Sequence, residues 1–69
     1  MTFKKAVKEM KEGREIYRPH WKTGVHLFIH DEKILIETSV NHEPNFWVAD
    51  ADDILADDWK SELSVALPF

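Results

Sequence analysis

Between Trp47 and Trp59 the chain reads Trp-Val-Ala-Asp-Ala-Asp-Asp-Ile-Leu-Ala-Asp-Asp-Trp, two large aromatics closing a run that holds five aspartates. Few local structures satisfy both residue types at once. Each indole gains from burying roughly 150–250 Å², whereas the carboxylates need water, a cation or backbone N–H groups. Asp50 or Asp52 at the start of a short helical turn would accept from N–H groups otherwise without partners, and Ile54, Leu55 and Ala56 would give that turn an apolar side. The stretch therefore predicts a capped turn between two aromatics, with the upstream chain arranged to meet it. Trp47 and Trp59 can each complete a core, and Trp47 can equally face a ligand.

The whole chain, residues 1–69, reads as one small domain without cysteine. At this size a single core is marginal without a disulfide, a metal or oligomerisation. Three Trp, four Phe and one Tyr exceed what such a core shelters, so some aromatic surface is expected between subunits or against a ligand. No apolar run approaches the roughly 18–20 residues of a membrane span, and the N-terminus has no signal-like apolar segment. A location in the cytoplasm, away from membranes, is expected.

A net charge of −4 argues against a general binder of nucleic-acid polymers. The charge is unevenly placed. Residues 1–22 carry seven Lys and Arg against three Glu, and the remainder carries two Lys against ten acids, giving +4 and −8. Such halves can attract each other within a chain or across a subunit contact, and the basic half can hold a phosphate-bearing ligand.

Phe3, Ala6, Val7 and Met10 recur at helical spacing, predicting an amphipathic helix over 3–12, with Thr2 as its cap and Gly13 as its stop. Arg14–Arg18 reads as a short strand ended by Pro19, with His20 and Trp21 at a bend. Val25–His30 and Ile34–Thr38 read as a hairpin in which Val25, Leu27 and Ile29 share one face and His26, Phe28 and His30 the other. Residues 39–45 form a loop, 46–48 a brief strand, and 59–63 an edge strand with Trp59, Ser61 and Leu63 on one face. Val65–Phe69 is an apolar tail that either docks in a groove or frays. The expected fold is α+β, one N-terminal helix packed on a small antiparallel sheet, with a short C-terminal helical turn.

No catalytic centre, metal site or cofactor is expected. On a strand His26 and His30 lie about 13 Å apart, too far to share a zinc ion. Counted from Asp50, the aspartate run has Leu55 where a calcium loop needs glycine and Ser61 where it needs glutamate. There is no serine elbow and no glycine-rich phosphate loop. What remains is a binding surface. Arg14, Arg18 and Lys22 can meet phosphate, and Tyr17, Trp21 and Trp47 offer flat faces on which a base can stack. On the same residues Trp21 and Trp47 can instead close the core while Arg18 pairs with Asp50 or Asp53.

Phe3-x-x-Ala6, Gly13, Arg18-x-x-Trp21, Trp47 and Asp53-Ile-Leu-Ala-Asp-Asp-Trp59 together resemble the small phage proteins of the second type of Thoeris anti-defence sponge. Only the aliphatic residue at Ile54 departs from the terminal motif. The resemblance implies an α+β protomer that forms homodimers or tetramers, with ligand pockets between subunits. It also implies binding, without cleavage, of a cyclic nucleotide immune signal, a cyclic ADP-ribose isomer or a cyclic dinucleotide, in the cytoplasm of the infected bacterium. Activation of an antiphage effector would then be blocked. Arg18, Trp21, Trp47 and Asp53 occupy the motif positions expected to line or frame the pocket. Asp50 stands where many relatives have a small polar residue, and a carboxylate there would repel a ligand phosphate. A sponge that outcompetes a receptor needs roughly nanomolar affinity, about −12 kcal/mol. Two rival readings use the same residues: a module that binds a host protein through the aromatic surface and acidic run, and a small nucleotide hydrolase using Asp52, Asp53 or a histidine with a divalent ion.

Overall fold

The computed structural model describes residues 1–38 and 43–63. Helix α1 (Phe3–Lys11) begins where Thr2 accepts from the Lys5 N–H at 3.3 Å, satisfying one of the donors that a helix start leaves free. It ends at Gly13, whose φ of +95° lets its N–H return to the Met10 carbonyl at 2.9 Å. The apolar stripe read from the spacing faces inward, and Ala6 and Met10 are buried.

Five strands are found among the described residues: β1 (Arg14–Tyr17), β2 (His26–His30), β3 (Lys33–Glu37), β4 (Asn45–Phe46) and β5 (Lys60–Leu63). They form one antiparallel sheet in the order β4-β3-β2-β1-β5. The β2–β3 hairpin turns through Asp31 and Glu32, both in the left-handed region at φ +52° and +63°, as a two-residue loop closed by the His30–Lys33 pair. β1 stops at Tyr17, ahead of Pro19, as the missing donor of proline requires. β4 is shorter and earlier than expected, ending at Phe46, although the Trp47 N–H still reaches the Ile34 carbonyl at 3.0 Å. β5 starts one residue after Trp59 and lies at the sheet edge, as expected.

Alternation gives the sheet two unlike faces. Ile16 pairs with both Leu27 and Ser61, and this face lies under α1 with Ile29, Ile34 and Ile36 around it. Ala6, Met10, Ile16, Leu27 and Trp59 form the buried centre. The opposite face carries Tyr17, His26, Phe28, Leu35 and Phe46, and none of these is fully buried. Helix α2 (Ala51–Leu55) is the expected short turn, capped by Asp50 through the Asp53 N–H at 3.0 Å. The architecture is thus α+β, as read. The apolar tail 65–69 and part of the 39–45 loop lie outside the described residues, and no described helix is long and apolar enough to cross a membrane.

Candidate functional site

The signature residues converge on Trp59, which is 1% exposed. Its backbone N–H donates to the Met1 carbonyl at 3.1 Å, and its indole N–H donates to the Asp53 carbonyl at 2.9 Å. Three other rings surround it. Phe3 lies 5.4 Å away, Trp21 meets it edge-on at 5.4 Å and 84°, and Trp47 meets it edge-on at 6.3 Å and 89°. These are the tilted and perpendicular arrangements that aromatic quadrupoles favour. Trp21 and Trp47 therefore stand on the same ring, each partly open to solvent.

Arg18 emerges from the end of β1 into the aspartate turn and is 9% exposed. Its Nε donates to Asp58 at 2.9 Å, and Nη1 donates to Asp53 at 2.9 Å and Asp52 at 3.1 Å. Nη2 donates to the second Asp58 oxygen at 3.4 Å. Hydrogen bonds to Asp58 and Asp53 hold the guanidinium well above the usual arginine range, and the same contact with Arg18 holds Asp58 below its ordinary value. Every side-chain nitrogen of Arg18 is thus committed to a carboxylate. The pairing with Asp53 weighed from sequence is present, joined by Asp52 and Asp58, while Asp50 is used as the α2 cap. Arg14, also a candidate for phosphate, is bonded to Glu9 at 3.0 Å and Glu12 at 2.9 Å.

Beside this cluster, the segment from Pro19 to Val25 leaves β1 and returns to β2 through two turns closed by Trp21 N–H to Arg18 carbonyl and Val25 N–H to Lys22 carbonyl, both 3.0 Å. Gly24 takes φ +92°, which the second turn needs. Under this arch lies an open recess of about 250 Å³ walled by Tyr17, Trp21, Lys22, His26 and Glu62, with Pro19, Thr23, Gly24 and Val25 completing it. Of the residues expected from sequence to meet a ligand, Tyr17, Trp21 and Lys22 line the recess; Arg18, Trp47 and Asp53 are instead engaged around Trp59 and the aspartate turn, and Asp50 caps α2.

His26 forms part of the recess and of the open sheet face. Its Nδ1 is 3.2 Å from the Gly24 carbonyl, an acceptor only, so this nitrogen carries the hydrogen. Its Nε2 is buried without a hydrogen bond, although Glu37 stands 3.1 Å and Glu15 3.4 Å away on the flanking strands. Nothing in the sequence pattern marks Glu62 or His26 as ligand-facing. Strand alternation around Ser61 places Glu62 on the open face, but only the pairing of β5 with β1 brings it to Tyr17.

The site thus defined is an aromatic recess beside Lys22, on a two-layer α+β domain built around a buried indole. The chain belongs to the Thoeris anti-defense 2-like (Tad2-like) domain family, whose model matches residues 1–61. This membership supports a role in Thoeris anti-defence and fits, in general, the binding of a signalling molecule. A comparison with curated proteins returned no match.

Proposed function

We propose that the protein sequesters a cyclic nucleotide immune signal, a cyclic ADP-ribose isomer or a cyclic dinucleotide, holding it without cleavage in the infected cell so that an antiphage effector is not activated. The observation that carries this reading is the recess itself, where Trp21 and Tyr17 supply flat faces beside Lys22. A base stacked on such a ring gains roughly 1–3 kcal/mol, and the Lys22 ammonium beside it would meet a phosphate. Of Arg14, Arg18 and Lys22, all able to meet phosphate on the sequence, Lys22 carries that contact in this reading, because the donors of both arginines already hold carboxylates. Arg18, Trp47, Asp50 and Asp53 then act as positioning residues that fix Trp59 and, through it, Trp21.

One protomer supplies only part of the enclosure. At about 250 Å³ the recess is smaller than the roughly 300–1,000 Å³ of pockets that cover a drug-sized ligand. Phe46, Val48 and Leu55 are 69%, 86% and 82% exposed, the kind of surface that assembly covers. A homodimer or tetramer with ligand held between copies accounts for both.

The test is to incubate purified protein with a panel of cyclic ADP-ribose isomers and cyclic dinucleotides, remove it by filtration, and quantify each nucleotide before and after heating the retained protein. Depletion with intact release on heating is expected. Altered products would mean a hydrolase. A second reading draws on α1, where Phe3 and Val7 floor a groove of about 650 Å³ rimmed by Lys4, Lys5, Lys8 and Lys11. An acidic host protein would fit there, and stoichiometric capture of one host protein without nucleotide depletion would favour it.

A further inference from the structure

Glu62 lies one residue beyond the family match, yet its side chain helps to wall the recess. It is exposed on edge strand β5, opposite Glu15 in register, and it makes no ion pair among the described residues. Glu62 is the carboxylate on the sheet side of the recess, and Glu15 and Glu37 flank His26 next to it on the same open face. Lys22, equally without an ion pair among the described residues, comes from the arch. The recess is therefore polar in a definite direction, a cation on its loop wall and a carboxylate on its strand wall.

That polarity orients a ligand. A phosphate is attracted to Lys22 and repelled by Glu62, so the part of the ligand that meets Glu62 must donate hydrogen bonds. A carboxylate has two oxygens and only accepts when ionised, so it is best matched by two donors side by side. We infer that Glu62 is a specificity-determining residue that accepts from a pair of adjacent donors on the bound nucleotide. Two groups present that chemistry: a ribose cis-diol, and the ring N–H with exocyclic amine of a guanine edge. The inference rests on the nucleotide-binding reading proposed above, and it sets the ligand with its phosphate toward the arch and its donor edge toward β5.

The experiment is equilibrium dialysis of the full chain and of Glu62→Ala, Glu62→Gln and Lys22→Ala with three probes. Cyclic ADP-ribose carries the cis-diol without guanine, 3′,5′-linked cyclic di-GMP carries guanine edges without a cis-diol, and 3′,5′-linked cyclic di-AMP carries neither. The unaltered protein is expected to bind one of the first two at least tenfold more tightly than cyclic di-AMP. Which of the two it binds identifies the donor pair. Glu62→Ala removes that preference, Glu62→Gln loses less, and Lys22→Ala weakens all probes alike. A thermal melt of each variant, expected to match the parent because both residues are exposed, separates binding from folding. Unchanged preference in Glu62→Ala, or a parent protein that favours cyclic di-AMP, overturns the role of Glu62 while nucleotide binding stands. If the parent retains none of the three probes and none of the wider panel, the nucleotide reading fails and the role of Glu62 fails with it.

Discussion

The indole N–H of Trp59 donates to the backbone carbonyl of Asp53 at 2.9 Å, while the Asp53 side chain accepts from Arg18 at the same distance. One residue of a five-residue helix thus ties the hydrophobic centre to the ion cluster. Replacing Trp59 with Ala is expected to cost about 3–5 kcal/mol in denaturant unfolding. Trp59→Phe should cost less, because ring packing is largely kept and the lost part is the hydrogen bond together with the smaller ring.

Arg18 and Trp21 should separate cleanly in paired measurements. Arg18→Lys cannot reproduce the fork that spans Asp58, Asp53 and Asp52, so its melting temperature should fall markedly. Trp21→Ala should fall less in stability, yet nucleotide retention should weaken at least tenfold, since it removes a wall of the recess. As a positioning residue Arg18 should lose binding only in part when changed to Lys, and a loss as large as that of Trp21→Ala, measured well below both melting temperatures, would return Arg18 to the ligand.

Asp58 gives a pH dependence with a definite sign. Its folded pKa lies below the ordinary value of 3.8 because Arg18 donates to it. The unfolded chain takes up the proton first, so this contribution is fully present above that value and is lost as pH falls through the lower folded one. Acid unfolding curves should therefore be steeper in the parent than in Asp58→Asn, which should also be less stable near neutrality.

The hairpin turn offers a gain. Asp31 and Glu32 both hold positive φ, a conformation that costs a side-chain-bearing residue roughly 1–2 kcal/mol. Glu32→Gly at this exposed turn should raise the melting temperature without altering ligand retention. Gly13→Ala should do the opposite. Among the described residues no atom beyond its chain neighbours lies within 4 Å of the added Cβ, so its cost comes from φ +95°.

Much of this fold was legible because its signals are local. The spacing of Phe3, Ala6, Val7 and Met10, the cap at Thr2, the stop at Gly13 and the alternation through Leu27 each act within a few residues, and each predicted the observed element. A cap at Asp50 or Asp52 is legible for the same reason, since a side chain reaching the N–H three residues on is a property of the turn itself, and the structure uses Asp50. The site was less so. Arg18 meets carboxylates 34 to 40 positions away, and which of five aspartates it takes depends on how the turn packs rather than on any pattern in the run. Glu62 reaches the recess only because β5 pairs beside β1, a sheet order that no stretch of β5 encodes. Sequence alone does not decide between core and ligand for Trp21 and Trp47, and the structure explains why: each rests on Trp59 and leaves part of its surface open.

The three indoles also make the molecule its own optical reporter. With Trp21 and Trp47 centred 5.4 and 6.3 Å from Trp59, excitation passes among them far faster than it is emitted, so the fluorescence belongs to the trio rather than to any member. A base that stacks on Trp21 would quench the light of all three, and occupancy of the recess could be followed in solution without a label.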